Sequence, residues 1–153
     1  MKTLTPEISA IRNSDEFYLF EVESRLKGSF NSKAVMLELL IHRLFDKYVT
    51  GLPEFHRQSW SFMELSNGGF YFCPADERVF TIQIGNFSVS IDNHQLGMAL
   101  TFDVLTAVFE RTRDQAFHNA LLALEAFFVE ADRKNQADGI RAYLKFIKLV
   151  GVA

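Results

Sequence analysis

The chain has 153 residues, 48% of them hydrophobic and 16 of them Phe, with 16 Lys and Arg against 19 Asp and Glu for a net charge of −3. That length and apolar share predict one domain over 1–153 with a packed core, and exclude a disordered chain. The near-neutral charge excludes both a strongly basic nucleic-acid binder and an acidic polyanion imitating DNA.

In chain order, Asn13 or Ser14 is placed to cap a first helix ending near Gly28, because Glu16 stands three residues after Asn13 and acids there suit the positive end of the helix dipole. A second helix is predicted from about Ser32 to Tyr48. Val35, Met36, Leu37, Leu39, Leu40, Ile41, Leu44, Phe45 and Tyr48 cover most of its circumference, which predicts a mostly buried central helix, and Gly51 and Pro53 follow its end.

From Trp60 the pattern alternates, and Ser66-Asn67-Gly68-Gly69 supplies a hairpin turn. With Asn67-Gly68 as the two-residue turn, Leu65 faces Phe70, Glu64 faces Tyr71, Met63 faces Phe72 and Phe62 faces Cys73. Met63, Leu65, Phe70 and Phe72 then form a core face, with Trp60, Phe62, Glu64, Tyr71 and Cys73 on the reverse. Gly68, Gly69 and Pro74 are read as structural turn residues. A second hairpin on Gly85-Asn86 pairs Ile84 with Phe87, Ile82 with Val89 and Phe80 with Ile91, leaving Thr81, Gln83, Ser88 and Ser90 on the polar face.

Asp92, with Gln95 three positions on, caps a helix carrying Leu96, Leu100, Val104, Ala107 and Val108 to about Arg111. Asp114 caps another with Phe117, Leu121, Leu124 and Phe128, and a last helix carries Ile140, Tyr143, Leu144, Ile147 and Val150. The order predicts an α+β fold: a four-stranded antiparallel sheet of two hairpins, with about five helices from both flanks packed around it.

Catalytic signatures are missing: there is no Gly-x-Ser-x-Gly elbow, phosphate-cradling glycine loop or His-Glu-x-x-His, and His42, His56, His94 and His118 are scattered without ligand spacing. No catalytic residue, metal, cofactor or small-molecule substrate is therefore expected. Asp92-Asn93-His94 comes nearest to an acid–base pair and is read as a cap followed by an exposed first-turn His. Cys73 before Pro74 is read as structural, since a strand end offers no base to lower its pKa. Asp103, in mid-helix near the apolar stripe, is read as the partner of an Arg or Lys from another helix.

The face carrying Trp60, Phe62, Glu64 and Tyr71 sets a carboxylate among aromatics, opposite a phenol. It reads either as a Tyr71–Glu64 hydrogen bond under a helix or as a surface for a partner loop. Arg141, Lys145 and Lys148 share one helix face, read first as solvated and second as a phosphate contact. A hydrolase built on Glu64 and Tyr71 is disfavoured, because no nucleophile and base stand at recognisable spacing. A single Cys, the absence of an apolar signal region in Met1 to Pro6 and the lack of a long apolar run predict a cytoplasmic protein with no membrane partner.

The run from Trp60 to Pro74, Trp-Ser-Phe-Met-Glu-Leu-Ser-Asn-Gly-Gly-Phe-Tyr-Phe-Cys-Pro, resembles the signature of the ArdB/KlcA antirestriction family, Trp-x-Phe-x-Glu-Leu-Ser-Asn-Gly-Gly-Phe-Tyr followed closely by Pro. The helix and short loop before the hairpin, from His42 to Pro53, and the Ser90-Ile91-Asp92 helix start after it agree with the family. The likeness spans residues 32 to 131, roughly, with 60 to 74 the most specific; after Asp92 the chain reads Asn93-His94-Gln95-Leu96-Gly97 where the family carries Asp-Ala-Ala-Gly, and residues 1–30 match weakly.

The resemblance implies a divergent family member that protects incoming plasmid or phage DNA from host type I restriction enzymes, without catalysis and without DNA mimicry. The implied partner is the restriction enzyme or its DNA complex, with direct DNA binding a lesser possibility. The candidate binding residues are Trp60, Phe62, Glu64, Asn67, Tyr71 and Asp92. The alternative is an immunity-type or general protein-interaction module using the same hairpin. Charge distribution favours a local surface: residues 1–58 hold 8 basic and 8 acidic side chains, 93–153 hold 7 and 7, and the whole deficit falls in 59–92, with 1 against 4.

Overall fold

A computed structural model describes residues 10–14, 34–50, 60–133 and 140. Among these, strand β1 (Ala10–Ser14) is followed by helix α1 (Ala34–Tyr48), then β2 (Val49–Thr50), β3 (Trp60–Leu65), β4 (Phe70–Pro74), β5 (Val79–Ile84), β6 (Phe87–Asp92), α2 (Asn93–Thr112) and α3 (Gln115–Arg133). The strands form two three-stranded antiparallel sheets, ordered β1-β3-β4 and β2-β5-β6.

Two sheets replace the single four-stranded sheet expected from sequence, and the reason lies at the outer edge of β4. Three α2 residues four apart cover that edge. Asn93 Nδ2 donates to the Pro74 carbonyl at 2.9 Å, the Phe72 N–H donates to Thr101 Oγ1 at 3.1 Å, and Gly97 between them lies against the Phe72 and Cys73 backbone. An edge already satisfied by a helix has no ladder left for β5. Pro74, expected in a turn, is instead the last residue of β4, opposite Trp60. It follows Phe72 by two on the edge strand, where the missing N–H falls on the side away from β3.

Each hairpin takes a third strand from earlier in the chain. In β1, Asn13 and Ser14 pair with Met63 and Phe62, so they are strand residues rather than the cap of a first helix. The local capping signal there loses to an otherwise unpaired strand edge. The remainder of that expected helix, residues 15–33, and the last expected helix beyond Ile140, with Arg141, Lys145 and Lys148, lie outside the described residues. Three helices are described instead of about five.

The second hairpin has the expected register, with Ile84 opposite Phe87, Ile82 opposite Val89 and Phe80 opposite Ile91. Gly85 alone in its turn takes positive φ, 60°, the pattern of a type II′ connection. The first hairpin is displaced by one residue: Glu64 pairs with Phe70, Met63 with Tyr71, Phe62 with Phe72 and Ser61 with Cys73. Its loop has three residues, Ser66-Asn67-Gly68, because Gly68 at φ 90° adds a left-handed residue after the turn and Leu65 closes the ladder on Gly69 at 2.9 Å. The slip exchanges the faces of β4, so Tyr71 and Cys73 share a face with Met63, while Phe70 and Phe72 join Phe62 with ring centroids 5.7 and 5.2 Å away.

Helix α1 runs close to its predicted span, but among its described side chains only Leu37, Ile41 and Phe45 are buried and Leu39 is 59% exposed. The central helix is α2, buried from Asn93 through Val108 on most sides because β4, α1 and α3 all pack against it. Within its predicted stripe Leu96, Leu100, Val104 and Val108 are buried and Ala107 is exposed. Asp92 caps it, accepting from Gln95 N at 2.7 Å, and Arg113 closes it in the left-handed region at φ 55°, donating its N–H to Phe109 O. Asp114 then caps α3 through Ala116 N at 3.1 Å, and Phe117, Leu121, Leu124 and Phe128 are buried as expected.

Candidate functional site

Register and docking together build a recess of about 460 Å³ where β4, the start of α2 and α3 meet, lined by Tyr71, Asp92, His94, Gln95, Met98, Phe127 and Ala131. Tyr71 enters from β4 because the one-residue slip turned it toward the helices. Its hydroxyl lies 3.0 Å from His94 Nδ1, and its ring stacks on Phe127 at 6.0 Å and 22°. Cys73, on the same face of β4, places Sγ 3.9 Å from the same nitrogen.

Burial pushes the Tyr71 hydroxyl above the ordinary phenol range, with the charges of Cys73 and Asp92 adding to the rise. Burial, and then the Asp92 charge, pushes the Cys73 thiol up to about 12. The protonated Tyr71 hydroxyl donates to His94 Nδ1 when the imidazole proton sits on Nε2 and accepts from it when the proton sits on Nδ1. Cys73 is a buried thiol, as read from sequence, although a histidine stands beside it. Gln95 contributes a buried Oε1 with no hydrogen-bond partner among the described residues. No group of three or more His, Cys, Asp or Glu is placed to hold a metal among the described residues, and no described helix is long and apolar enough to cross a membrane.

The six candidate binding residues fall in separate places. Trp60 is 4% exposed and joins β3 to α1, stacked on His42 at 4.8 Å and edge-on to Phe45 at 5.3 Å. Phe62 is buried in the Phe62–Phe70–Phe72 cluster. Glu64 is half-buried and stands in register with Arg12 and Phe70, not with Tyr71. Asn67 is exposed at the hairpin tip, where Nδ2 donates to Ala123 O at 2.8 Å and Oδ1 accepts from Gly69 N at 3.0 Å. Gly69 lies beneath it, and a Cβ there would stand 2.8 Å from Ala123 Cβ. Only Tyr71 and Asp92 meet, at the recess.

Sequence reasoning missed His94, Gln95, Met98 and Phe127 as site residues. His94, expected to be exposed, is half-buried on Tyr71. The available signal was the spacing Asn93-x3-Gly97-x3-Thr101, since a glycine in a helix interior flanked at four residues by small polar groups marks close approach to another backbone.

These features define a class: an α+β protein of two hairpin-based sheets around a central helix, with a polar, aromatic-walled recess where that helix begins. A family model described as "Antirestriction protein" matches residues 53–144, more than half of the chain, and the chain belongs to that family. Among solved structures, one from work on the KlcA and ArdB proteins covers 94% of this chain and 99% of its own, with TM-score 0.68 and 18% identity. The fold is therefore the KlcA/ArdB fold, and that work describes antirestriction activity against type I DNA restriction systems in vivo but not in vitro. No curated protein matches the chain in sequence.

Proposed function

We propose that this protein protects incoming plasmid or phage DNA from host type I restriction enzymes, acting in the cytoplasm by binding the enzyme or its DNA complex, without catalysis. The observation that carries this reading is the family match over residues 53–144. The shared fold, in proteins described as active against type I systems, supports the choice of target.

Mimicry of DNA is the wrong mechanism for this charge distribution. Duplex DNA carries one negative charge per roughly 1.7 Å of axis, whereas the excess here is −3 in total and falls within residues 59–92. The recess joining Tyr71 and Asp92 is the contact surface we assign, because it alone brings candidate residues together.

The test belongs in cells, since the related proteins are described as active in vivo but not in vitro. Unmodified phage is plated on a type I restricting host with and without the protein, beside a modified-phage control. Restored plating efficiency is the expected result. Undiminished restriction alongside abundant soluble protein refutes the proposal.

A further inference from the structure

The recess has a consistent chemical character. Among the described residues no Lys or Arg lines it, and the polar walls they supply are the Asp92 carboxylate, the Gln95 amide and the Tyr71–His94 pair. Gln95 Oε1 is buried without a donor among the described residues, a state that costs free energy until a donor arrives. Asp92 is exposed and its cap bond to Gln95 N uses Oδ1. The rings of Tyr71 and Phe127 supply a flat aromatic wall.

The segment that supplies Tyr71 and Asp92 carries the same sign. Four acids and one base fall in residues 59–92, and that base, Arg78, stands 3.7 Å from Asp76. An anion is disfavoured because Asp92 already occupies the α2 N-terminus and would repel it.

We infer that this recess receives an arginine side chain of a partner protein, its guanidinium lying on the Phe127 ring and donating to Gln95 Oε1 and the Asp92 carboxylate. Arginine fits better than lysine because a planar fork of donors satisfies two acceptors while stacking on an aromatic face, and sheds its weaker hydration more readily. That the partner is the restriction enzyme rests on the function proposed above; the guanidinium chemistry does not.

The test uses the full chain and three blocked tripeptides, Gly-Arg-Gly, its neutral citrulline counterpart and Gly-Glu-Gly, followed by NMR. The arginine peptide is expected to shift the His94, Gln95 and Phe127 signals saturably, and the citrulline peptide to bind about tenfold more weakly, as for loss of a charge-assisted hydrogen bond. Asp92→Asn keeps a competent cap while removing the charge, and is expected to weaken arginine binding by a similar factor. Phe127→Leu is expected to weaken it about two- to fivefold.

Equal affinities for arginine and citrulline, stronger binding of the glutamate peptide or of an oligonucleotide at these residues, or no saturable shift in the millimolar range each overturn the inference. In the plating assay, Asp92→Asn is expected to lose protection with an unchanged melting temperature. Full protection by a variant that no longer binds the arginine peptide overturns the recess as the partner contact. Failure of the wild type to protect instead refutes the proposed function, and leaves the peptide result standing.

Discussion

Replacing Gly97 by Ala tests the docking that forms the recess. A Cβ at this position would lie 2.2 Å from the Phe72 carbonyl oxygen, 2.4 Å from Cys73 Cβ and 2.7 Å from Cys73 Cα. Two of the three are backbone atoms of a paired strand, so relief requires α2 to move away from β4. Overpacking of this kind costs about 2 kcal/mol. Stretching the Asn93–Pro74 and Phe72–Thr101 hydrogen bonds, both buried, adds about 1–3 kcal/mol. Ala returns about 1 kcal/mol through its helix propensity. The net destabilisation is about 2–4 kcal/mol, and at roughly 2–4 °C per kcal/mol for a chain of this size the melting temperature falls by roughly 5–15 °C. Urea denaturation followed by circular dichroism measures it. A Gly97→Ala variant stabilised by about 1 kcal/mol, the behaviour of a glycine on an exposed helix face, would show that α2 does not touch β4 and refute the reasoning.

Asn67→Ala removes the hairpin tip's bond to Ala123 O and its own bond from Gly69 N; a loss of about 1–2 kcal/mol in thermal unfolding is expected, and none if the tip floats free of α3. Tyr71→Phe deletes the hydroxyl bonded to His94 Nδ1, and nitrogen NMR is expected to show a changed His94 tautomer ratio. For pH, a thiol raised from 9.0 to about 12 keeps its proton in the folded state while the unfolded state releases it. Stability from Cys73 is therefore fully present below pH 9 and is lost as pH rises toward 12. The slope of the urea midpoint above pH 9 is expected to be shallower in Cys73→Ala. Asp92→Ala, unlike Asp92→Asn, loses the α2 cap and about 1 kcal/mol in the same denaturation assay.

The two hairpins show why legibility differs along one chain. In β5 and β6 the apolar residues Phe80, Ile82 and Ile91 are buried while Gln83, Ser88 and Ser90 are exposed, so alternation alone selects the register. All five residues of β4 are buried, and β3 is buried at every position except Glu64. A strand buried on both faces carries no alternation to read, so either register looked consistent. The choice fell to one glycine torsion at Gly68, and with it went the placement of Tyr71 against Met63 rather than Glu64. The recess was half legible: Asp92 as cap and Tyr71 as a singular residue were both visible, but their meeting with Phe127 depends on α3 folding back over the start of α2.

Local chemistry in the sequence was sufficient to determine the caps at Asp92 and Asp114, the apolar stripes of α2 and α3, the second hairpin and the Trp60–Pro74 signature, because each rests on residues a few positions apart. Tertiary structure alone decided that the hairpins enter separate sheets, that α2 rather than α1 is central, and that His94 meets Tyr71. Those outcomes turn on how closely two backbones can approach, and the smallest side chain in the chain, Gly97, sets that distance.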